Sequence, residues 1–283
     1  MENMKNLSNN RNTIISIIVV SAVIGVFFYS TLQWLVISWL NNDYYSHGFL
    51  IPLISGYIVY NMRDDLKKIE KKQTQEGLFV FMAGITIYGI GSLNTVRFIS
   101  GLSLIVTIFG LILYLYGWKF INKIKFPLAF LIFMVPLPII DIVASPAQTI
   151  AASGSFDIAR FIGIPIQRDG NQLILPTGTF EVAVECSGLN SLISLLSLGA
   201  IYAFILEGGL LMRLTIFFSA IPIAMSGNIL RITSVLIVGY KYGTDVAEGY
   251  FHQFSSLVLF SVALIGLFTV GRIFGKLKFK KIF

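Results

Sequence analysis

The chain has 283 residues, is 55% hydrophobic and only 12% charged, and has a mean hydropathy of +0.80. That is about half the charge of a soluble domain, which excludes that class. The formal charge of +7 does not indicate nucleic acid, because the Lys and Arg residues crowd into short loops between apolar runs. Two histidines and one cysteine cannot close a zinc site, and no glycine loop suited to cradling phosphates appears.

Apolar runs of about 18 residues read as membrane helices. Eight are predicted, giving an all-α polytopic protein with one integral membrane domain over 1–283. Five spans fall within 13–140. The first, 13–40, is too long for a signal-peptide core and lacks a small-residue cleavage site, so it reads as retained. The second, 46–62, begins within "YYSHGFLIPLISGYIVYNM", and the charged loop "RDDLKKIEKKQTQE" follows. Spans three and four, 77–93 and 98–118, are joined by "NTVR". After the basic loop "KFINKIK", span five is "FPLAFLIFMVPLPII". Its prolines remove backbone donors and should end or bend the helix near Pro136 and Pro138.

Residues 141–186 form an extracytoplasmic or interfacial segment. Its first part, "DIVASPAQTIAASGSFDIARFIGI", is weakly amphipathic and suits a helix lying along the membrane surface. The Asp169-Gly170 turn signal and the alternation from Thr179 to Glu185 then predict a short β-hairpin before the sixth span. Spans six to eight, 187–206, 211–240 (with Gly227 as a break) and 253–274, lie within 187–274. A basic tail, 275–283, ends the chain. With both termini inside, all but Arg97, Arg160, Arg168, Arg231 and Lys241 of the 21 Lys and Arg residues face the cytoplasm, as the bias of short basic loops requires.

This topology brings three distant residues to one level. Cys186, the only cysteine, opens span six on the outer side. Arg231 lies about 20 residues into span seven, which at ~1.5 Å per residue reaches the outer leaflet. His252 opens span eight. A thiol nucleophile needs a base or a neighbouring positive charge. Histidine can take and return a proton, and arginine can steady a thiolate or an oxyanion. Each residue also has an ordinary reading. Cys186 packs a helix start, Arg231 snorkels to the interface, and His252 caps a helix. His47 is also outside, as a supporting partner, a competing base or a helix-start residue. Glu185 either orients His252 or is a solvated strand end.

Several pieces, in order, resemble the exosortase/archaeosortase family of membrane-embedded cysteine transpeptidases and proteases. They are "YYSHGFLIP" (44–52), "FPLAFLIFMVPLP" (126–138), "LPTGTFEVAVECSGLNSL" (175–192), "NILRI" (228–232) and the histidine of "AEGYFHQFSS". The resemblance implies Cys186 as nucleophile, Arg231 as stabiliser of the thiolate or oxyanion, and His252 as general acid and base. His47, Glu185 and Asn228 are candidates to support them, and no cofactor or metal is implied. It further implies an enzyme of the cell membrane that cuts surface proteins at a C-terminal signal made of a motif, a transmembrane helix and a basic cluster. A thioester would pass the new C-terminus to an acceptor such as a membrane lipid. The hairpin would pair with an extended substrate strand. Two readings without this chemistry stand beside it: a multispan transporter and a non-catalytic export scaffold. An intramembrane cysteine protease, with water as acceptor, would use the same residues.

Overall fold

Backbone polar groups inside a bilayer have no water to bond to, so an apolar chain of this kind satisfies them internally as helix. The computed structural model describes residues 19–20, 22–247 and 252–274 and is 81% helical. The start of the first predicted span and the basic tail lie outside the described residues. Among the described residues, three helices have the length and composition to cross a membrane: α4 (Gln75–Leu93), α5 (Arg97–Tyr116) and α9 (Leu210–Tyr242). Shorter apolar helices include α8 (Leu189–Ile205) and residues Phe260–Phe274 of α11 (His252–Phe274).

The chain forms two units. The first comprises residues up to Asn42 together with Leu66–Pro136. Within it, α1 (Tyr29–Asn41), α4, α5 and α6 (Trp118–Phe130) carry the packing. The α4–α5 pair is built on a glycine every seventh residue. Gly77, Gly84 and Gly91 are all buried, and they lie against Tyr114, Thr107 and Ser100, which are also seven apart. Gly110 answers from α5, lying against Phe81. Lipid tails are as apolar as leucine, so close backbone approach at small residues is what holds such helices together.

Two predicted features of this unit are corrected. The basic "KFINKIK" is not a loop but part of α6. Ile121, Ile124 and Leu128 are buried at helical spacing, while Lys119, Lys123 and Lys125 point outward. A short amphipathic helix therefore hides behind its charge. Predicted span five is not one continuous helix. The α-helix stops at Phe130, a 3-10 turn covers Leu131–Met134, and Val135 is extended. Trp39 Nε1 donates to the Met134 carbonyl there at 2.8 Å. The helix resumes only after Pro138, as the missing proline donors require.

The second unit joins Asp43–Asp65 to everything from Leu137 onward. Its first piece holds a 3-10 turn, Asp43–Phe49, then α2 (Leu50–Asn61), with the short α3 (Arg63–Lys67) ending the piece. Next comes α7 (Ile139–Phe161), which packs on α9. Gly154 of α7 lies against Ile229, and Ser155 Oγ donates to the Ile229 carbonyl at 3.2 Å. The predicted hairpin is present and gains a third strand. Strands β1 (Gln167–Asp169), β2 (Gln172–Leu175) and β3 (Gly178–Glu181) form an antiparallel sheet in the order β1-β2-β3. Asp169 pairs with Gln172 around Gly170, whose φ is +58°, and Leu175 pairs with Gly178. The alternation expected to run to Glu185 stops at Glu181, where a 3-10 turn, Val184–Ser187, takes over.

One face of the sheet is apolar: Leu173, Leu175 and Phe180 are buried, as is the following Val182. They form a core with Ile232, Val235 and Leu236 of α9 and Ala152 and Ala159 of α7. Gly239 gives Phe180 room to approach α9. At the other end of α9, Ala220 and Ala224 pack with Ala203 of α8 and with Ala263 and Leu267 of α11. The expected break at Gly227 does not occur, and α9 runs unbroken through it. After α9 comes α10 (Thr244–Val246) and then α11.

Candidate active site

Cys186 sits in the 3-10 turn between β3 and α8, half-buried against the core of sheet and helices. A short turn has few bonds of its own, and this one is held from outside. Gln148 Nε2 of α7 donates to the Val182 carbonyl at 3.1 Å. The Tyr44 hydroxyl donates to the Val184 carbonyl at 3.2 Å, and Asn228 Nδ2 of α9 donates to the Cys186 carbonyl at 2.8 Å. Three elements thus pin three alternate carbonyls around the thiol.

Gly188 ends the turn and starts α8 in the left-handed region, at φ +83°. A Cβ there would stand 2.7 Å from Asn228 Cγ, so both the backbone angle and the space demand glycine. This explains the Ser-Gly step after Cys186. Ser187 Oγ accepts from the Leu189 amide at 3.4 Å, at the first turn of α8.

Asn228 and Arg231 are three residues apart on α9 and so share a face. Asn228 is buried. The Arg231 guanidinium is near enough to the Cys186 side chain to interact with it electrostatically. Beside that pair is a cavity of about 230 Å³, walled by Phe180, Val182, Ile232 and Leu236, with Cys186 and Arg231 in its lining. Glu181, the last residue of β3, also lines it. No local sequence signal marks this carboxylate, since alternation along a strand makes Glu181 a solvated position, and it is exposed. Neither Gln148 nor Tyr44 was singled out there, since nothing local marks either as reaching a turn 34 or 140 residues away.

The other candidates are placed as follows. His252 begins α11. Gly266 of α11 lies against Ile223 of α9, and Phe260 and Ala263 share a crevice with Gly227 and Arg231, so the two helices run antiparallel. Counting residues from those contacts at ~1.5 Å each, the His252 backbone lies about 10 Å beyond the level of Arg231, toward the Tyr242 end of α9. Its side chain, like that of Glu185, lies outside the described residues. His47 is in the 3-10 turn before α2 and contacts α8 rather than the Cys186 turn. Its Nε2 is 3.3 Å from Ser197 Oγ, two turns into α8, and Nδ1 is buried with no hydrogen-bond partner. Among the described residues, no three His, Cys, Asp or Glu side chains gather as metal ligands would.

The arrangement places a thiol and a guanidinium in the lining of one cavity, with the thiol on a turn whose backbone cannot shift without breaking bonds to three elements. That is suited to covalent attack on a carbonyl held in place by apolar contacts. Residues 39–269 match the profile of the family described as Transmembrane exosortase (Exosortase_EpsH). No curated protein and no solved structure matches the chain.

Proposed function

The chain belongs to the transmembrane exosortase family, and from that premise we propose that it is a membrane cysteine transpeptidase or protease acting on C-terminal sorting signals. The observation that carries this reading is that Cys186 and Arg231 line one cavity, large enough for one substrate side chain.

The substrate's tail helix packs among the spans, and its motif enters beside Cys186. Confinement to the membrane plane supplies proximity without a deep aqueous pocket. Cys186 Sγ attacks the scissile carbonyl carbon as a thiolate, and Arg231 offsets its charge and then that of the tetrahedral oxyanion. As the C–N bond breaks, His252 gives the proton it took from the Cys186 thiol to the leaving amine, and a thioester to Cys186 remains. An incoming hydroxyl or amine, deprotonated by His252, attacks the thioester and returns the thiol. A membrane lipid fits the role of acceptor because it is already present at that depth. The active site faces outward and both termini inward, which is supported by the placement of Lys and Arg in short loops.

The test is to express Cys186→Ala and Cys186→Ser in the native host and to read the C-termini of surface proteins by mass spectrometry. The wild type is expected to trim the tail helix, with any added mass identifying the acceptor. Both variants should leave the helix intact, a loss of at least about 10³-fold. Normal trimming by variants that accumulate in the membrane would make Cys186 a packing residue and favour a transporter or scaffold.

A further inference from the structure

A cavity in the first unit is unconnected with the chemistry just described. It measures about 430 Å³ and lies between α1, α4 and α5, within the size range of small-molecule sites. Its lining is polar for a space between membrane helices. Thr31 and Ser100 line it and are only 4% and 6% exposed. Neither hydroxyl has a hydrogen-bond partner among the described residues. Both hydroxyls are therefore placed to donate to an occupant of the cavity. Gln33, Trp34 and Tyr88 complete the wall.

The only charged residue in the lining is Arg97, and its position is unusual three times over. Between Lys72 and Lys119 it is the only Lys or Arg, at the end of the α4–α5 pair away from the basic loops, where the bias of short loops does not put it. It is the first residue of α5, whose first turn has no acidic residue and whose N-cap, Val96, offers no side-chain bond. A cation there opposes the helix dipole. Finally, it has no ion-pair or hydrogen-bond partner among the described residues. A bound anion would resolve all three, and would also satisfy the two buried hydroxyls.

The anion abundant at the end of a membrane helix is a lipid phosphate, and Trp and Tyr belong at that depth. We propose that this cavity binds the phosphate ester of an anionic membrane lipid, with Arg97 as its charge partner and Thr31 and Ser100 as donors. The site is independent of Cys186.

The full-length protein, purified in neutral detergent, is titrated with phosphatidylglycerol and with phosphatidylcholine, read by native mass spectrometry and thermal unfolding. The wild type should hold phosphatidylglycerol about tenfold more tightly than phosphatidylcholine. Arg97→Gln should abolish that preference, and Arg97→Lys should keep most of it. Arg97 is exposed, so the glutamine variant should fold, which its unfolding temperature without lipid checks. Lys119→Gln, near the start of α6, should leave the preference unchanged, as should Cys186→Ala. Inorganic phosphate is the parallel probe. Stabilisation that depends on Arg97 extends the site to the free anion, and none confines it to the lipid-borne ester. Equal phosphatidylglycerol binding by wild type and Arg97→Gln, or no wild-type preference between the lipids, overturns the proposal.

Discussion

Gly188 carries more constraint than its lack of a side chain suggests. Its φ of +83° costs an L-residue about 1–2 kcal/mol, and any Cβ would push into Asn228. Displacing Asn228 also endangers its bond to the Cys186 carbonyl, and an orphaned buried group costs about 1–3 kcal/mol. Gly188→Ala should therefore lower the unfolding temperature by several degrees and cripple client processing. Asn228→Ala should cost less. Because the two residues compete for one space, the double variant should be more stable than the sum of the single losses predicts. Additive losses would show that the contact does not matter. At this scale much of the site is legible: the Cys-Ser-Gly step, Asn228 and Arg231 all stand in the sequence. Gln148, Tyr44 and Glu181 were not legible. Their roles come from long-range approach, and a single glutamine in an apolar helix or a glutamate at a strand end has many uses.

The elements divide by how they are stabilised. Long apolar runs such as α4, α5 and α9 announce themselves, since composition alone makes them helical in a bilayer. The helix α6 was hidden because its three lysines outweigh a narrow buried stripe. The third strand was hidden because three- and four-residue strands carry too little alternation to count. Gly227 reads as a break because glycine weakens an isolated helix, whereas here α9 packs against α8 and α11 and stays helical through it. The same residue type serves α4 differently. Gly84 lies against Thr107 of α5, so Gly84→Leu should force the helices apart and cost about 1–3 kcal/mol. Thr86 is exposed on another face of α4, so Thr86→Leu should be nearly neutral. Thermal unfolding of both variants in detergent checks this, and a Gly84→Leu protein as stable as wild type would exclude glycine packing as the source of the pair's stability.

At the scale of the molecule, the second unit is discontinuous in sequence. Its first piece, Asp43–Asp65, is separated from the rest by Leu66–Pro136, which belongs to the other unit. That piece supplies Tyr44 to the Cys186 turn and His47 to Ser197. It also supplies Tyr45, whose hydroxyl donates to the Leu137 carbonyl at 3.3 Å. A fragment of residues 137–283 should therefore accumulate poorly and unfold well below the full chain, and co-expression of residues 1–136 should restore it. A fragment as stable by itself as the whole would show that the early piece is dispensable. The separation also has a meaning in time. His47 and Ser197 are 150 residues apart, and at ~5–20 residues per second about 7–30 s of synthesis passes between them. Throughout that interval a histidine has already left the ribosome while the helix that will cover it does not yet exist. The pace of translation, or an insertase that shelters the early piece, is therefore part of what this sequence needs in order to fold.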